Sequence, residues 1–231
     1  MKIKNTKPGR KDGAYTRLLG NEELGALISR VHSASISSGL ELENLILAKS
    51  DLFLVQSAEE MENLLLNGEK YDKKTYLIPK KIVKKSKFKS EHEPDYLILK
   101  KATKTLYITE LKDGDAFDTK KSAGEAESLR KFKNHISENV PYKTLILVCC
   151  FNQNNKEKII QGFKSKIKSS EAFTGEEFCE LIGIDYQAII KERKEQDQKE
   201  NLNFFCNELL KITECRKIIL KALKKENDYE K

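Results

Sequence analysis

The sequence predicts an α/β fold, in which helices pack on a β-sheet and further helices follow at the C-terminal end. Two β-type segments are joined by a short polar turn, a third precedes them, and a continuous apolar run lies further along the chain. Stretches with the 3.6-residue spacing of amphipathic helices lie before, between and after these strands. The resulting order of helix, three strands, helix, strand and helices is typical of a layered α/β arrangement.

The first element is a helical region over residues 21–66. Asn21 is a suitable N-cap, because its side-chain oxygen can accept a hydrogen bond from a free amide of the first turn. The segment SISSG is expected to interrupt this region before Leu40, since serine and glycine are poor helix formers. A short apolar segment, Tyr76–Ile78, is the first predicted strand.

The next two strands are predicted to form a hairpin. Tyr96–Leu99 and Leu106–Leu111 have the composition of β-strands, and the polar segment KATK provides the turn between them. Ser122–Ser137 has the spacing of an amphipathic helix. Thr144–Phe151 is an uninterrupted apolar run with the length of a buried strand.

The C-terminal third is predicted to be helical. Residues 156–168 and 175–182 form two helices, and a last helix extends from about residue 202 to residue 223. Residues 191–200, KERKEQDQKE, form an exposed helix or a linker. The last helix carries an apolar stripe, which is more often part of a core than a partner surface. The stripe consists of Leu202, Phe205, Leu209, Ile212, Ile219 and Leu223.

The length of 231 residues fits one domain of ordinary size with a helical extension. We expect a core over residues 1–155, which begins with a basic arm, and a helical region over residues 156–231 packed on it. No apolar run approaches the roughly 20 residues that span a bilayer, and the N-terminus MKIKNTKPGRKDG lacks the apolar part of a secretory signal. The protein is therefore expected to be soluble and cytoplasmic. The five cysteines lack C-x-x-C spacing, which favours neither a disulfide framework nor a zinc site.

The formal net charge of +7 favours an anionic partner, although an excess of this size is common in globular proteins. Its distribution is more informative, because lysines crowd the segment immediately before Pro94. These lysines are Lys80, Lys81, Lys84, Lys85, Lys87 and Lys89. A solvated face and an anion-binding surface both stay open as interpretations of this segment.

The hairpin places two acids opposite each other. If the turn is centred between Ala102 and Thr103, Leu99 pairs with Leu106, and the same register brings Asp95 opposite Glu110. Directly opposed residues have Cβ atoms roughly 4.5–5.5 Å apart on one face of the sheet, so two like charges there are unfavourable. A divalent cation between the carboxylates would relieve the repulsion, with oxygens at about 2.0–2.1 Å for Mg²⁺.

Pro94-Asp95, followed after 14 residues by Glu110-Leu111-Lys112, resembles the PD-(D/E)xK motif of the restriction-endonuclease-like nucleases. The main competing triplet is Asp118-Thr119-Lys120, but it follows the turn at Gly114 instead of closing a strand. The Pro-Asp pair occurs once, opens a strand, and has its partner triplet at the end of the adjoining strand. The element order over about residues 20–151 is similar to the αβββαβ core of this family, which implies a mixed central sheet.

This resemblance implies that Asp95 and Glu110 are catalytic metal ligands, joined by the carbonyl oxygen of Leu111. Mg²⁺ is the expected cofactor, with Mn²⁺ as a substitute, because such an ion polarises a phosphoryl oxygen and lowers the pKa of its bound water. Lys112 is expected to stand close to the attacking water and the scissile phosphate. Whether it acts as a base or as an electrostatic stabiliser stays open.

Two further segments are similar to the family. SSGLELENLI resembles the Gly-x-x-(Leu/Phe)-Glu segment on the first helix of many members, which implies that Glu43 is an auxiliary catalytic and metal-binding acid. An ordinary exposed helix glutamate is the alternative interpretation of Glu43. The segment at 113–129 resembles the region after the catalytic lysine of several restriction enzymes, so Lys120 and Lys121 are candidates for phosphate contacts. The six lysines before Pro94 and the basic N-terminal arm are further candidates.

The function that the resemblance implies is that of a type II restriction endonuclease. Such an enzyme would cut double-stranded DNA at a specific sequence as a homodimer, because a palindromic site mirrors two-fold symmetry. Its products would carry a 5′-phosphate and a 3′-hydroxyl, and the C-terminal region would serve DNA recognition or dimerisation. A cognate DNA methyltransferase is expected as a genetic partner. The alternatives are a DNA-repair or junction-resolving nuclease of the same fold and a catalytically inactive DNA-binding protein.

Overall fold

The structure is a computed structural model of the chain, and it describes residues 2–49, 53–67, 73–114, 119–194 and 197–229. The helices are α1 (Ala14–Leu19), α2 (Glu22–Lys49), α3 (Ala58–Leu66), α4 (Lys80–Val83), α5 (Thr119–Ser137), α6 (Lys156–Gly162), α7 (Gly175–Ile182), α8 (Tyr186–Lys194), α9 (Asp197–Lys211) and α10 (Thr213–Tyr229). None of these described helices has the length and apolar character that crossing a bilayer requires.

Within the described residues, six strands form one sheet in the order of the sequence. They are β1 (Phe53–Leu54), β2 (Thr75–Pro79), β3 (Tyr96–Lys100), β4 (Thr105–Lys112), β5 (Lys143–Cys150) and β6 (Ala172–Thr174). The central pairs β2–β3 and β3–β4 are antiparallel, whereas β1–β2, β4–β5 and β5–β6 are parallel. The fold is therefore α/β with a mixed sheet and helices packed on it.

The predicted register of the hairpin is confirmed. Leu99 is paired with Leu106, and Tyr96 is paired with Thr109 at the end of the ladder. The turn is a short 3₁₀ segment, Lys101–Thr103, and Lys104 closes it with a φ of 47°. This left-handed conformation costs a lysine some strain, which the long antiparallel ladder on both sides of the turn outweighs.

The core fixes the orientation of β4. Leu106 and Ile108 are fully buried on one face of the strand, where they join a cluster with Leu129 and Phe132 of α5. Each such side chain stabilises the fold by about 1.5–3 kcal/mol relative to an exposed one. Because alternate residues of a strand share a face, Glu110 and Lys112 lie on the same face as Leu106 and Ile108, beyond the apolar cluster.

The chain divides into two compact units, one formed by residues 1–45 and 187–231 and the other by residues 46–186. The second unit contains the whole sheet. The division into a core over residues 1–155 and a helical region after it stays a prediction. Strand β6 pairs with β5, so the sheet extends beyond residue 155.

In the first unit, hydrogen bonds and ion pairs hold the basic N-terminal arm. The Arg30 guanidinium donates to the carbonyl oxygens of Lys4 and Thr6 at 2.7 and 3.0 Å. Lys2 and Lys4 each form an ion pair of 2.9 Å with Glu200. Two of the charges expected to meet DNA are therefore paired within the protein.

Four predictions about helices are wrong. The helical region expected over residues 21–66 is divided by strand β1 into α2 and α3. Helix α2 continues through SISSG, and the hydroxyls of Ser33 and Ser37 donate to the carbonyl oxygens of Ser29 and Ser33 within the helix. The last predicted helix is two helices, which meet at the buried residue Ile212. The helix expected over 156–168 ends at residue 162, and positive φ values at the next turn prevent its continuation.

Candidate active site

The candidate site lies at the edge of the sheet where β4 ends and β3 begins. Strands β4, β5 and β6 are parallel, so their carboxyl ends meet at this edge, and the antiparallel β3 brings its amino end there. Ligand sites of α/β sheets commonly lie outside the carboxyl ends of the strands. Asp95 directly precedes β3, whereas Glu110, Leu111 and Lys112 are the last residues of β4.

Asp95 is linked to both neighbouring segments. Its Oδ2 accepts a hydrogen bond of 3.0 Å from the backbone N–H of Leu111, and its Oδ1 lies 3.2 Å from the Lys80 ammonium. Its carbonyl oxygen accepts a second bond, of 2.9 Å, from the backbone N–H of Lys80. Only 14% of the Asp95 side chain is exposed. These contacts fix the carboxylate beside the end of β4.

Glu110 is the more deeply buried acid of the pair. Burial in the fold, together with the nearby negative charge of Asp95, raises its pKa from 4.5 to about 7. Its Oε1 accepts a hydrogen bond of 2.7 Å from the Lys112 ammonium, which opposes this shift only in part. Its Oε2 accepts no hydrogen bond from any residue that the structure describes. The site thus holds a carboxylate whose negative charge is incompletely balanced.

Lys112 lies between two carboxylates. Its ammonium is 2.7 Å from Glu110 Oε1 and 2.9 Å from Oε1 of Glu125, which belongs to helix α5. Burial alone would lower the pKa of Lys112, but the charges and hydrogen bonds of both acids outweigh it and raise this pKa well above its ordinary value. The lysine is therefore protonated and held in a fixed direction. This favours orientation or charge stabilisation over a role as a base.

Lys80 differs from the other lysines of its segment. It was expected only to contact phosphate, but its ammonium is bound to Asp95. Although burial lowers its pKa, the charge and hydrogen bond of Asp95 and the charge of Glu110 raise this pKa overall. The other five lysines are exposed, as an anion-binding surface requires. They are Lys81, Lys84, Lys85, Lys87 and Lys89.

A cavity of about 490 Å³ opens beside the acids. Glu110, Lys80 and Glu125 line it, together with Lys84 and the segment that precedes Asp95. The cavity thus gives a solvent-accessible approach to Glu110. Its wall carries the ammonium groups of Lys80 and Lys84 and four carboxylates, those of Glu91, Glu93, Glu110 and Glu125. Because carboxylates outnumber ammonium groups in this lining, the cavity fits a cation.

The remaining predicted residues have different positions. Glu43 lies on α2 in the first compact unit, where it is partly buried, and its role as an auxiliary acid stays a prediction. The backbone of Lys120 and Lys121 lies in the first turn of α5, but their side chains are outside the described part of the structure. The amide of Leu111 binds Asp95, and the role of its carbonyl oxygen stays a prediction.

The donor set fits Mg²⁺ better than zinc. Across the described residues, no group of three or more His, Cys, Asp or Glu side chains is close enough to hold a metal ion. Structural zinc sites need four protein ligands, whereas Mg²⁺ usually keeps several waters and binds through one or two carboxylates and a substrate phosphate. Asp95 and Glu110 supply two such carboxylates, and no residue in the described part of the chain donates a hydrogen bond to Oε2 of Glu110, which could therefore bind a cation.

Comparison with known proteins gives one informative match. The chain is 41% identical over 220 residues to the type II restriction enzyme HhaII of Haemophilus parahaemolyticus, an alignment that covers 92% of this chain and 96% of that enzyme. No protein-family model and no solved structure matches the chain. Identity at this level over nearly the whole length of both proteins shows common descent. The chain belongs to the family of type II restriction enzymes.

Proposed function

We propose that the protein is a Mg²⁺-dependent type II restriction endonuclease of the PD-(D/E)xK superfamily. It would hydrolyse phosphodiester bonds of double-stranded DNA at a specific short sequence and leave a 5′-phosphate and a 3′-hydroxyl. The acid pair of Asp95 and Glu110 with Lys112 beside it, in a chain similar to HhaII, is the observation that supports this most strongly. The mixed sheet is compatible with a restriction-endonuclease-like core.

The two carboxylates would hold the metal ion, with Mn²⁺ as a substitute for Mg²⁺. When bound, such an ion would supply a water of lowered pKa and neutralise charge on the phosphate. Glu110 must lose its proton to bind a cation, and its pKa of about 7 makes that loss easy near neutral pH. Lys112, which Glu110 and Glu125 fix, would orient its positive charge towards the phosphate as negative charge develops there.

The five exposed lysines between residues 81 and 89 would contact backbone phosphates. Such contacts provide affinity without reading the base sequence. We further propose a homodimer on a palindromic site, with the C-terminal helices in recognition or dimerisation. A DNA methyltransferase with the same specificity would be the genetic partner, since it protects the host's own sites.

Plasmid DNA and Mg²⁺ provide the test. Wild-type protein is expected to give discrete fragments, and Glu110→Ala is expected to abolish cutting while DNA binding survives. Glu127→Gln, which changes an exposed acid of α5, is the matched control and should cut as the wild type does. A smear of random products would remove the claim of sequence specificity, and much faster cutting of branched DNA would favour a junction-resolving enzyme.

A further inference from the structure

Lys80 forms an ion pair with Asp95 that has no role in the mechanism proposed above. We propose that its ammonium is a built-in counter-ion of Asp95 in the DNA-free protein, which an incoming divalent cation displaces from the carboxylate. This inference rests on the proposed function, because it assumes that Asp95 and Glu110 bind Mg²⁺. It concerns how the negative charge of Asp95 is neutralised before the metal ion binds.

The segment that carries Lys80 is attached to Asp95 at two points. The backbone N–H of Lys80 donates to the Asp95 carbonyl oxygen at 2.9 Å, and the side-chain ammonium lies 3.2 Å from Oδ1. Only the second contact uses the carboxylate. Loss of that contact would therefore leave the backbone bond intact, and the start of α4 would stay beside the site.

The two lysines of the site are held to different degrees. Lys112 contacts two carboxylates, and 27% of its side chain is exposed. Within the described residues, Lys80 contacts the carboxylate of Asp95 alone, and 41% of its side chain is exposed. A dication that enters a site already holding two ammonium groups meets electrostatic repulsion from both. Lys80 is the weaker-held group, so its release relieves that repulsion at the lower cost.

The cavity offers a place for the released ammonium. Lys80 lines the cavity of about 490 Å³ that also exposes Glu110 and Lys84. A lysine side chain has four rotatable methylene groups, so its charge can move into water while its stem stays on the wall. The displaced charge would then face the approaching phosphate of DNA. The same residue would thus neutralise an acid in the resting protein and attract the substrate afterwards.

Lysine-specific chemical labelling of the DNA-free wild-type protein, with and without saturating Mg²⁺, tests the displacement directly. Mass spectrometry is expected to show that Mg²⁺ raises the labelling rate of Lys80 about fivefold, the size of effect expected when a partly exposed ion pair opens. Lys84, which lines the same cavity, serves as the control and should be unaffected. An unchanged or reduced rate at Lys80 would overturn the proposal, as would failure of the DNA-free protein to bind Mg²⁺.

Calorimetry of Lys80→Met gives an independent test. The variant removes the competing charge and is expected to bind Mg²⁺ about fivefold more tightly than the wild type. Lys84→Met removes a charge from the same cavity and corrects for the general electrostatic effect. Equal affinities of the two variants would contradict the displacement. If the wild type cuts DNA but these results fail, the proposed function stands without the inference; if it does not cut, the proposed function itself is wrong.

Discussion

The buried carboxyl group of Glu110 is expected to make the metal-free protein less stable as the pH rises. In the unfolded chain this group has a pKa of about 4.5, whereas in the folded protein burial and the charge of Asp95 raise it to about 7. Between these values the folded protein binds the proton more strongly than the unfolded chain does. Stability from this group is therefore fully present below pH 4.5 and is lost as the pH rises to about 7.

The size of the change in unfolding free energy follows from the pKa shift of Glu110. One pKa unit corresponds to about 1.36 kcal/mol, so the change from 4.5 to about 7 corresponds to roughly 3 kcal/mol. Glu110→Gln cannot titrate and should lack this loss. The difference in unfolding free energy between the variant and the wild type is therefore expected to move by roughly 3 kcal/mol in favour of the variant between pH 4.5 and pH 8.

Urea unfolding followed by circular dichroism, with EDTA to remove metal ions, measures this difference. Glu127→Gln is the control, because that acid is exposed on α5 and the substitution should leave the pH dependence of the wild type unchanged. A difference between Glu110→Gln and wild type that stays constant within about 1 kcal/mol over this range would contradict a raised pKa of Glu110. It would mean that Glu110 titrates near its ordinary pKa.

Three further predictions concern the site, the DNA surface and the fold. Glu125→Gln weakens one of the two carboxylate contacts of Lys112, so cleavage should slow by about tenfold while DNA affinity stays unchanged. An equal loss of affinity would contradict a positioning role for Glu125. Replacement of both Lys84 and Lys85 by alanine should reduce the slope of log affinity against log salt by about 2, and an unchanged slope would exclude phosphate contacts there. In thermal unfolding, Gly175→Ala should cost about 2 kcal/mol or more, because its Cβ would overlap a backbone carbonyl just after β5. Gly39→Ala, where the space is open, should instead stabilise α2 by up to about 1 kcal/mol; equal effects would refute the packing argument.

The sequence predicts the hairpin well for a physical reason. Two apolar runs flank a short polar turn, and a hairpin centred on that turn has a single register. Strands β3 and β4 and the pairing of Leu99 with Leu106 follow from that pattern. The position of Asp95 next to the end of β4 follows from the same register, since no loop intervenes between the two acids and the ladder.

Other features depend on contacts that no local pattern records. Strand β6 has three residues, too few for any periodicity, and forms because the edge of β5 is available for pairing. The apolar stripe of the last predicted helix continues across the break at Ile212, so spacing alone does not reveal two helices. Lys80 and Glu125 reach the acid site from α4 and α5, and only the packing of these helices shows that they contact Asp95 and Lys112.

A crystal structure of the protein with Mn²⁺, with an anomalous difference map calculated at the manganese edge, would show whether Asp95 and Glu110 bind a metal ion. We expect a strong peak between the carboxylates of Asp95 and Glu110, close to the amino end of β3 and the carboxyl end of β4. A peak that avoids both carboxylates, in a crystal whose protein cuts DNA with Mn²⁺, would contradict it.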